Sequence, residues 1–173
     1  MSGNATYDFV LPIFIKGLTT YDHVLSKAES YAKEKGLDVD ATFFEARLVE
    51  DQLPLNFQVQ NTAKIAQINL GRLTGDAITP FDADEKTVAG LRKQVQKTLE
   101  LLKTADAAKA AGREETEIDL PALGKTHKST VKAAVVNHGL PNFYFHLVTG
   151  YSILRSKGVP VGKADYLTSF LGL

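Results

Sequence analysis

Residues 10–31 read VLPIFIKGLTTYDHVLSKAESY. Within this stretch Val10, Phe14, Gly17, Tyr21, Val24, Ala28 and Tyr31 recur at alternating spacings of four and three. That period places them on one stripe of an α-helix. Phe9, Ile13, Leu18 and Leu25 widen the stripe. Gly36 follows Lys33 and Lys35, a helix stop with cations near the negative end of the helix dipole. The pattern predicts a helix from about Thr6 to Lys35. Pro12 removes a backbone donor inside its early turns and predicts a bend there.

The same period continues outward. Asp40 can cap a short helix through Phe43, Phe44 and Leu48, and Pro54 interrupts the chain. Leu55, Val59, Ala63, Ala66, Leu70 and Leu73 form a second long stripe, stopped by Gly75. The Thr74–Pro80 stretch reads as a connection long enough to cross over. Asp82 with Glu85 has the spacing of a helix cap, and Val88, Leu91, Val95, Leu99 and Leu102 give a third stripe that fades before Gly112. Between Glu115 and Thr130, Thr116, Ile118 and Leu120 alternate with charged residues, and Pro121-Ala122-Leu123-Gly124 is a turn cluster; this predicts a small hairpin. A fourth helical pattern runs from Val131 to Lys157 and is closed by Gly158 and Pro160, with Pro141 predicting a kink or break. The apolar tail, residues 161–173, should dock on the body. The expected fold is all-α: four long amphipathic helices in a bundle, a crossover between the second and third, and a β-hairpin before the last. Residues 1–173 read as a single domain.

Composition narrows the function. Twenty Lys+Arg balance twenty Asp+Glu, so no net field recruits nucleic acid or an anionic membrane. The chain has no cysteine, hence no disulfide framework, thiolate nucleophile or Cys-based zinc site. The apolar run Phe9–Ile15 is too short to span a bilayer and has no basic residue before it, so neither a membrane span nor a signal peptide is expected. Cytoplasm is the expected compartment.

The fourth helix carries the chemistry. His138, Asn142 and His146 recur every four residues, which forms one slanted row on a helix. Imidazole and amide oxygen can ligate a metal in a bundle core, and Gln58 and Gln60 on the second helix stand where a third ligand could come from. Against ligation, Pro141 lies inside the row, and a histidine beside aromatics usually satisfies its hydrogen bonds within the core. The neighbouring Phe143, Tyr144 and Phe145 cover most of a helix circumference. At least one of them must line a pocket, pack on the tail or meet another subunit. No sharp turn presents a serine nucleophile, and Gly71 and Gly75 lack the context of a phosphate-binding loop.

Further motifs carry a resemblance. Leu140-Pro141-Asn142-Phe143-Tyr144-Phe145-His146, then Gly158-Val159-Pro160-Val161-Gly162-Lys163-Ala164-Asp165-Tyr166-Leu167, resemble the end of the domain-of-unknown-function family numbered nineteen ninety-three. Pro12-Ile13-Phe14-Ile15-Lys16-Gly17-Leu18 and Pro54-Leu55-Asn56-Phe57-Gln58-Val59-Gln60 resemble it as well. That family is placed in the DinB/YfiT-like superfamily. The resemblance implies a four-helix bundle, often a homodimer. It also implies a nickel or zinc site held by one histidine from the second helix and two, four apart, from the fourth, and in some members thiol-dependent transfer chemistry. This chain has glutamines on its second helix and Asn142 four residues before His146, and such neutral amides are weak ligands for these metals. The expectation is therefore a polar intra-bundle pocket, built from Gln58, Gln60, His138, Asn142, Tyr144 and His146, that binds a small molecule without an intact three-histidine site. His146 is the candidate acid or base. The competing expectations are a metal- or thiol-dependent enzyme and a dimeric interaction module.

Overall fold

The computed structural model describes residues 4–173. Six α-helices and one two-stranded hairpin follow in chain order: α1 Ala5–Lys35, α2 Leu55–Thr74, α3 Val88–Lys103, β1 Glu117–Ala122, β2 Lys125–Thr130, α4 Val131–Ala133, α5 Leu140–Ser156 and α6 Lys163–Leu171. The fold is thus predominantly helical with a minor hairpin. Two differences raise the helix count from the four read in the sequence. The last long pattern is divided into α4, a wide π-helical stretch Ala134–Gly139 and α5. The apolar tail also forms a helix of its own, α6.

Helix α1 is a single element despite Pro12. Its buried face is the expected stripe: Val10, Phe14, Tyr21, Val24 and Ala28 have no exposed surface. It ends at Gly36, whose left-handed backbone (φ 64°) lets its N–H reach the last carbonyls. Helix α2 packs on α5 and α3, and α1 packs on α3, α5 and α6, so the apolar stripes meet in one core. The α2–α3 connection is pinned where the Phe81 N–H donates to Gln67 Oε1 (2.9 Å) and the Lys97 ammonium lies 3.9 Å from the Phe81 ring centroid. Helix α3 is capped by Thr87, which accepts from the Gly90 N–H, and not by Asp82; Asp40 accepts from the Val88 N–H at 2.7 Å. The cap signal at Asp82 and Glu85 was displaced because Thr87 stands directly before the apolar stripe and Asp40 satisfies a second orphan donor.

The hairpin pairs Glu117 with Thr130 through to Ala122 with Lys125. Leu123 and Gly124 form its turn, both at positive φ (51° and 75°), the geometry that matches strand twist. Pro141 explains the wide stretch before it. A proline ring collides with the carbonyl four residues back in a regular α-helix. Widening the preceding turns relieves that collision without ending the helix. Helix α6 lies on α1 through polar ties: Lys16 Nζ donates to the Phe170 carbonyl, Thr20 to the Tyr166 carbonyl, and His23 and Lys27 meet Asp165 at 2.9 and 2.8 Å. These two contacts, with the N–H of Gly162, hold the Asp165 carboxyl well below the usual carboxylate range against the opposing cost of its burial. Among the described residues no helix is long and apolar enough to cross a membrane.

Candidate functional site

The polar residues of α2 set the site. Gln58, Asn61, Asn69 and Arg72 recur at helical spacings on the face turned toward the last long helical run, with Ile65 and Ile68 between them. Opposite them, the wide π-helical stretch carries His138 and the first turn of α5 carries Asn142. The two faces approach closely at Gly139, where a methyl group would come within 2.6 Å of Asn69 Oδ1. Any larger residue there would have to push the Asn69 side chain aside.

His146 lies at one end of this seam and is 8% exposed. Its Nδ1 lies 2.7 Å from Gln58 Oε1 and its Nε2 lies 2.7 Å from Asn61 Nδ2. Gln58 Nε2 donates to the Leu53 carbonyl at 2.8 Å, so the glutamine presents its oxygen to the ring. Nδ1 therefore carries the proton, and Nε2 accepts from the Asn61 amide. Burial lowers the pKa of His146, in keeping with a neutral ring. Phe57 and Phe145 flank it edge-on, with centroids 5.8 and 5.2 Å away.

His138 and Asn142 line a recess of about 350 Å³ with Asn61, Lys64, Ile65, Ile68, Asn69 and Arg72, and Pro121 of β1 closes one side. The Nδ1 atom of His138 is buried without a hydrogen-bond partner. Its pKa is lowered by burial and then by the charge of Arg72. Arg72 donates to Asn69 Oδ1 at 3.1 Å. Burial alone lowers the pKa of that guanidinium.

The other candidates lie apart. Gln60 lines a recess of about 110 Å³ on the far side of Asn61 and Lys64, with Phe57, Phe81 and Ala83. Tyr144 turns toward the tail, with ring centroids 5.9 Å from Phe143 and 6.1 Å from Phe170, and burial raises its phenol pKa. A more open recess of about 410 Å³, lined by Val148, Tyr151, Arg155, Lys163 and Tyr166, lies between α5 and α6. None of the buried polar atoms that lack partners belongs to that wall. The smaller seam between α2 and α5 is therefore the chemically loaded one. Sequence reasoning missed Asn61, Asn69 and Arg72. Their signal was the polar stripe running alongside the apolar one on α2, which was read only as far as Gln58 and Gln60.

The donor set does not fit the histidine-bound nickel or zinc ion implied by the resemblance. Among the described residues no three His, Cys, Asp or Glu side chains are grouped to hold an ion. Both ring nitrogens of His146 are taken up by amides, and neutral amides neither offset a divalent charge nor match its softness.

The class of the protein follows from the whole fold. A solved structure of a DinB family member protein from Shewanella denitrificans is similar over 93% of this chain and 90% of that one, with a TM-score of 0.83 and 36% sequence identity. The sequence profile of the family described as Domain of unknown function (DUF1993) matches residues 6–167, and the chain belongs to that family. No curated protein gives a significant match.

Proposed function

We propose that this protein binds a small molecule in the seam between α2 and the helical run of residues 131–156, without a three-histidine metal centre. The four long helices act as a bundle crossed over between α2 and α3, and the wide turns around His138 open the seam between them. The observation that carries the reading is the recess between the two helical faces, lined by the polar side chains of Asn61, Asn69, Arg72, His138 and Asn142. Its volume lies within the usual range for small-molecule sites. His146 borders the recess through Asn61, and its role there is to orient that amide.

The test is chemical-shift mapping of the labelled full-length chain against a library of small polar molecules. Binders should move the side-chain amide signals of Asn61, Asn69 and Asn142 together, and His138→Ala should weaken them. Binders that act only on α6 and the outer face of α5 would move the site to the Arg155 and Lys163 recess and overturn the proposal.

A second reading, a dimeric interaction module, is favoured by the exposure of Phe57 (37%), Phe145 (57%) and Val148 (44%). Sedimentation equilibrium checks it: a concentration-independent monomer would remove it.

A further inference from the structure

The chemistry of the recess points to a class of ligand. The recess brings two cations to one small volume, Arg72 and Lys64, and none of its lining residues is acidic. Among the described residues neither cation takes part in an ion pair; the seven ion pairs lie elsewhere. Arg72 spends one donor on Asn69 out of the five on a guanidinium fork. A half-buried fork of this kind matches the two oxygens of a planar oxyanion. Ile65 and Ile68 on the same helix, and Pro121 of β1, add apolar wall, and the amides of Asn61 and Asn142 add neutral donors and acceptors.

We propose that the seam binds a small organic acid, its carboxylate on the Arg72 guanidinium with Lys64 at the mouth and its apolar body against Ile65, Ile68 and Pro121. The inference rests on the binding function proposed above and names its ligand class. A flat carboxylate with a hydrocarbon body satisfies both the fork and the apolar walls. Inorganic phosphate satisfies the cations but leaves the walls wet.

The experiment titrates the labelled full-length chain at neutral pH with benzoate, its neutral counterpart benzamide, and inorganic phosphate, following the Arg72 side-chain N–H and the Asn61, Asn69 and Asn142 amide signals. Benzoate should bind saturably, and benzamide more weakly by roughly tenfold or more, the worth of one charge-assisted hydrogen bond. Arg72→Gln should remove that preference. Arg72→Lys, which keeps the charge and loses the fork, should retain only part of it. Lys64→Gln, at an exposed position, should weaken benzoate by a few-fold and serves if the Arg72 variants do not fold. Benzamide binding as tightly as benzoate, unchanged in Arg72→Gln, overturns the assignment of an acid while leaving the proposed binding function standing. Phosphate binding more tightly than benzoate also overturns the organic acid. If no probe moves any of these signals, and the library screen is likewise silent there, both readings fall.

Discussion

Replacing Gln58 with leucine tests how the interior holds His146. The side chain is 1% exposed and makes two hydrogen bonds, from Nε2 to the Leu53 carbonyl at 2.8 Å and at Oε1 with His146 Nδ1 at 2.7 Å. Leucine is nearly isosteric, so no large cavity opens. The two losses are unequal. The bond to the Leu53 carbonyl is only part-buried, so that loss is the smaller. His146 is buried, and its Nδ1–H loses its acceptor; an orphaned buried donor costs about 1–3 kcal/mol. The leucine regains a little by burying apolar surface. The net expectation is a destabilisation of about 2 kcal/mol, which in a chain of this size lowers Tm by roughly 4–8 °C.

Calorimetry reads the stability, and nitrogen chemical shifts of the ring read the mechanism. With the glutamine oxygen gone, Nδ1 has no reason to keep the proton, and the ring should move to the Nε2–H tautomer as the Asn61 amide turns to accept it. A variant that melts within about a degree of the parent and keeps its proton on Nδ1 would refute the claim that Gln58 sets the tautomer.

Asn61→Asp should do the opposite of burial: a carboxylate in place of an amide 2.7 Å from Nε2 favours the imidazolium, so His146 should titrate at a higher pH than in the parent when followed by NMR. Gly150→Ala should lower Tm, because the added methyl would collide with the fully buried Tyr21 phenol; overpacking of this kind costs about 1–3 kcal/mol, and an unchanged melting curve would show that the ring has room to move. Acidification from pH 7.5 to 5.5 should lower stability in urea unfolding. The pKa values of His138 and His146 are lowered in the folded state, so the unfolded chain takes up protons first, below about pH 6.5, and stability falls by at most about 1.4 kcal/mol per pH unit for each histidine. A flat profile over that window would contradict the burial of both rings.

The helices were legible because each is declared by its own residues. The Val10–Tyr31 stripe, the stop at Gly36 and the stop at Gly75 are local signals, and α1 and α2 end where those glycines stand. The hairpin was legible for the same reason, since Leu123-Gly124 is a two-residue turn between alternating strands. What was hidden depends on partners distant in sequence. Pro141 announces a disturbance but not its form, because a kink, a break and a widened turn all relieve the same ring. The widened form is the one that carries His138 to the seam. Asn61 could not be paired with His146, 85 residues away, until the crossing of α2 and α5 was known. Thr87 outcompeted Asp82 as a cap for a similar reason: Asp40, from a different part of the chain, supplies the second acceptor.

The direction of the hydrogen bonds at the seam has a consequence for what can enter it. Starting from the Leu53 carbonyl, Gln58 donates outward and accepts from His146, and His146 accepts from Asn61. Each member is forced by the one before it, because a backbone carbonyl only accepts. The Asn61 amide nitrogen is thereby directed to the ring, and its oxygen remains as an acceptor on a residue that lines the recess. Arg72 stands eleven residues further along α2, about 16 Å at the helical rise, and brings only donors. Arg72 marks the far end, while Lys64, three residues from Asn61, also lines the recess, so the Asn61 end holds an acceptor beside a cation. In the binding mode proposed above, a molecule that filled the length of the seam would carry a hydroxyl donor near Asn61 and its negative charge near Arg72. Reversing those groups would set lone pair against lone pair at one end and leave the guanidinium unpaired at the other. That polarity comes from amides that never need to touch the ligand's charge, and it is lost in Gln58→Leu even where Arg72 is intact.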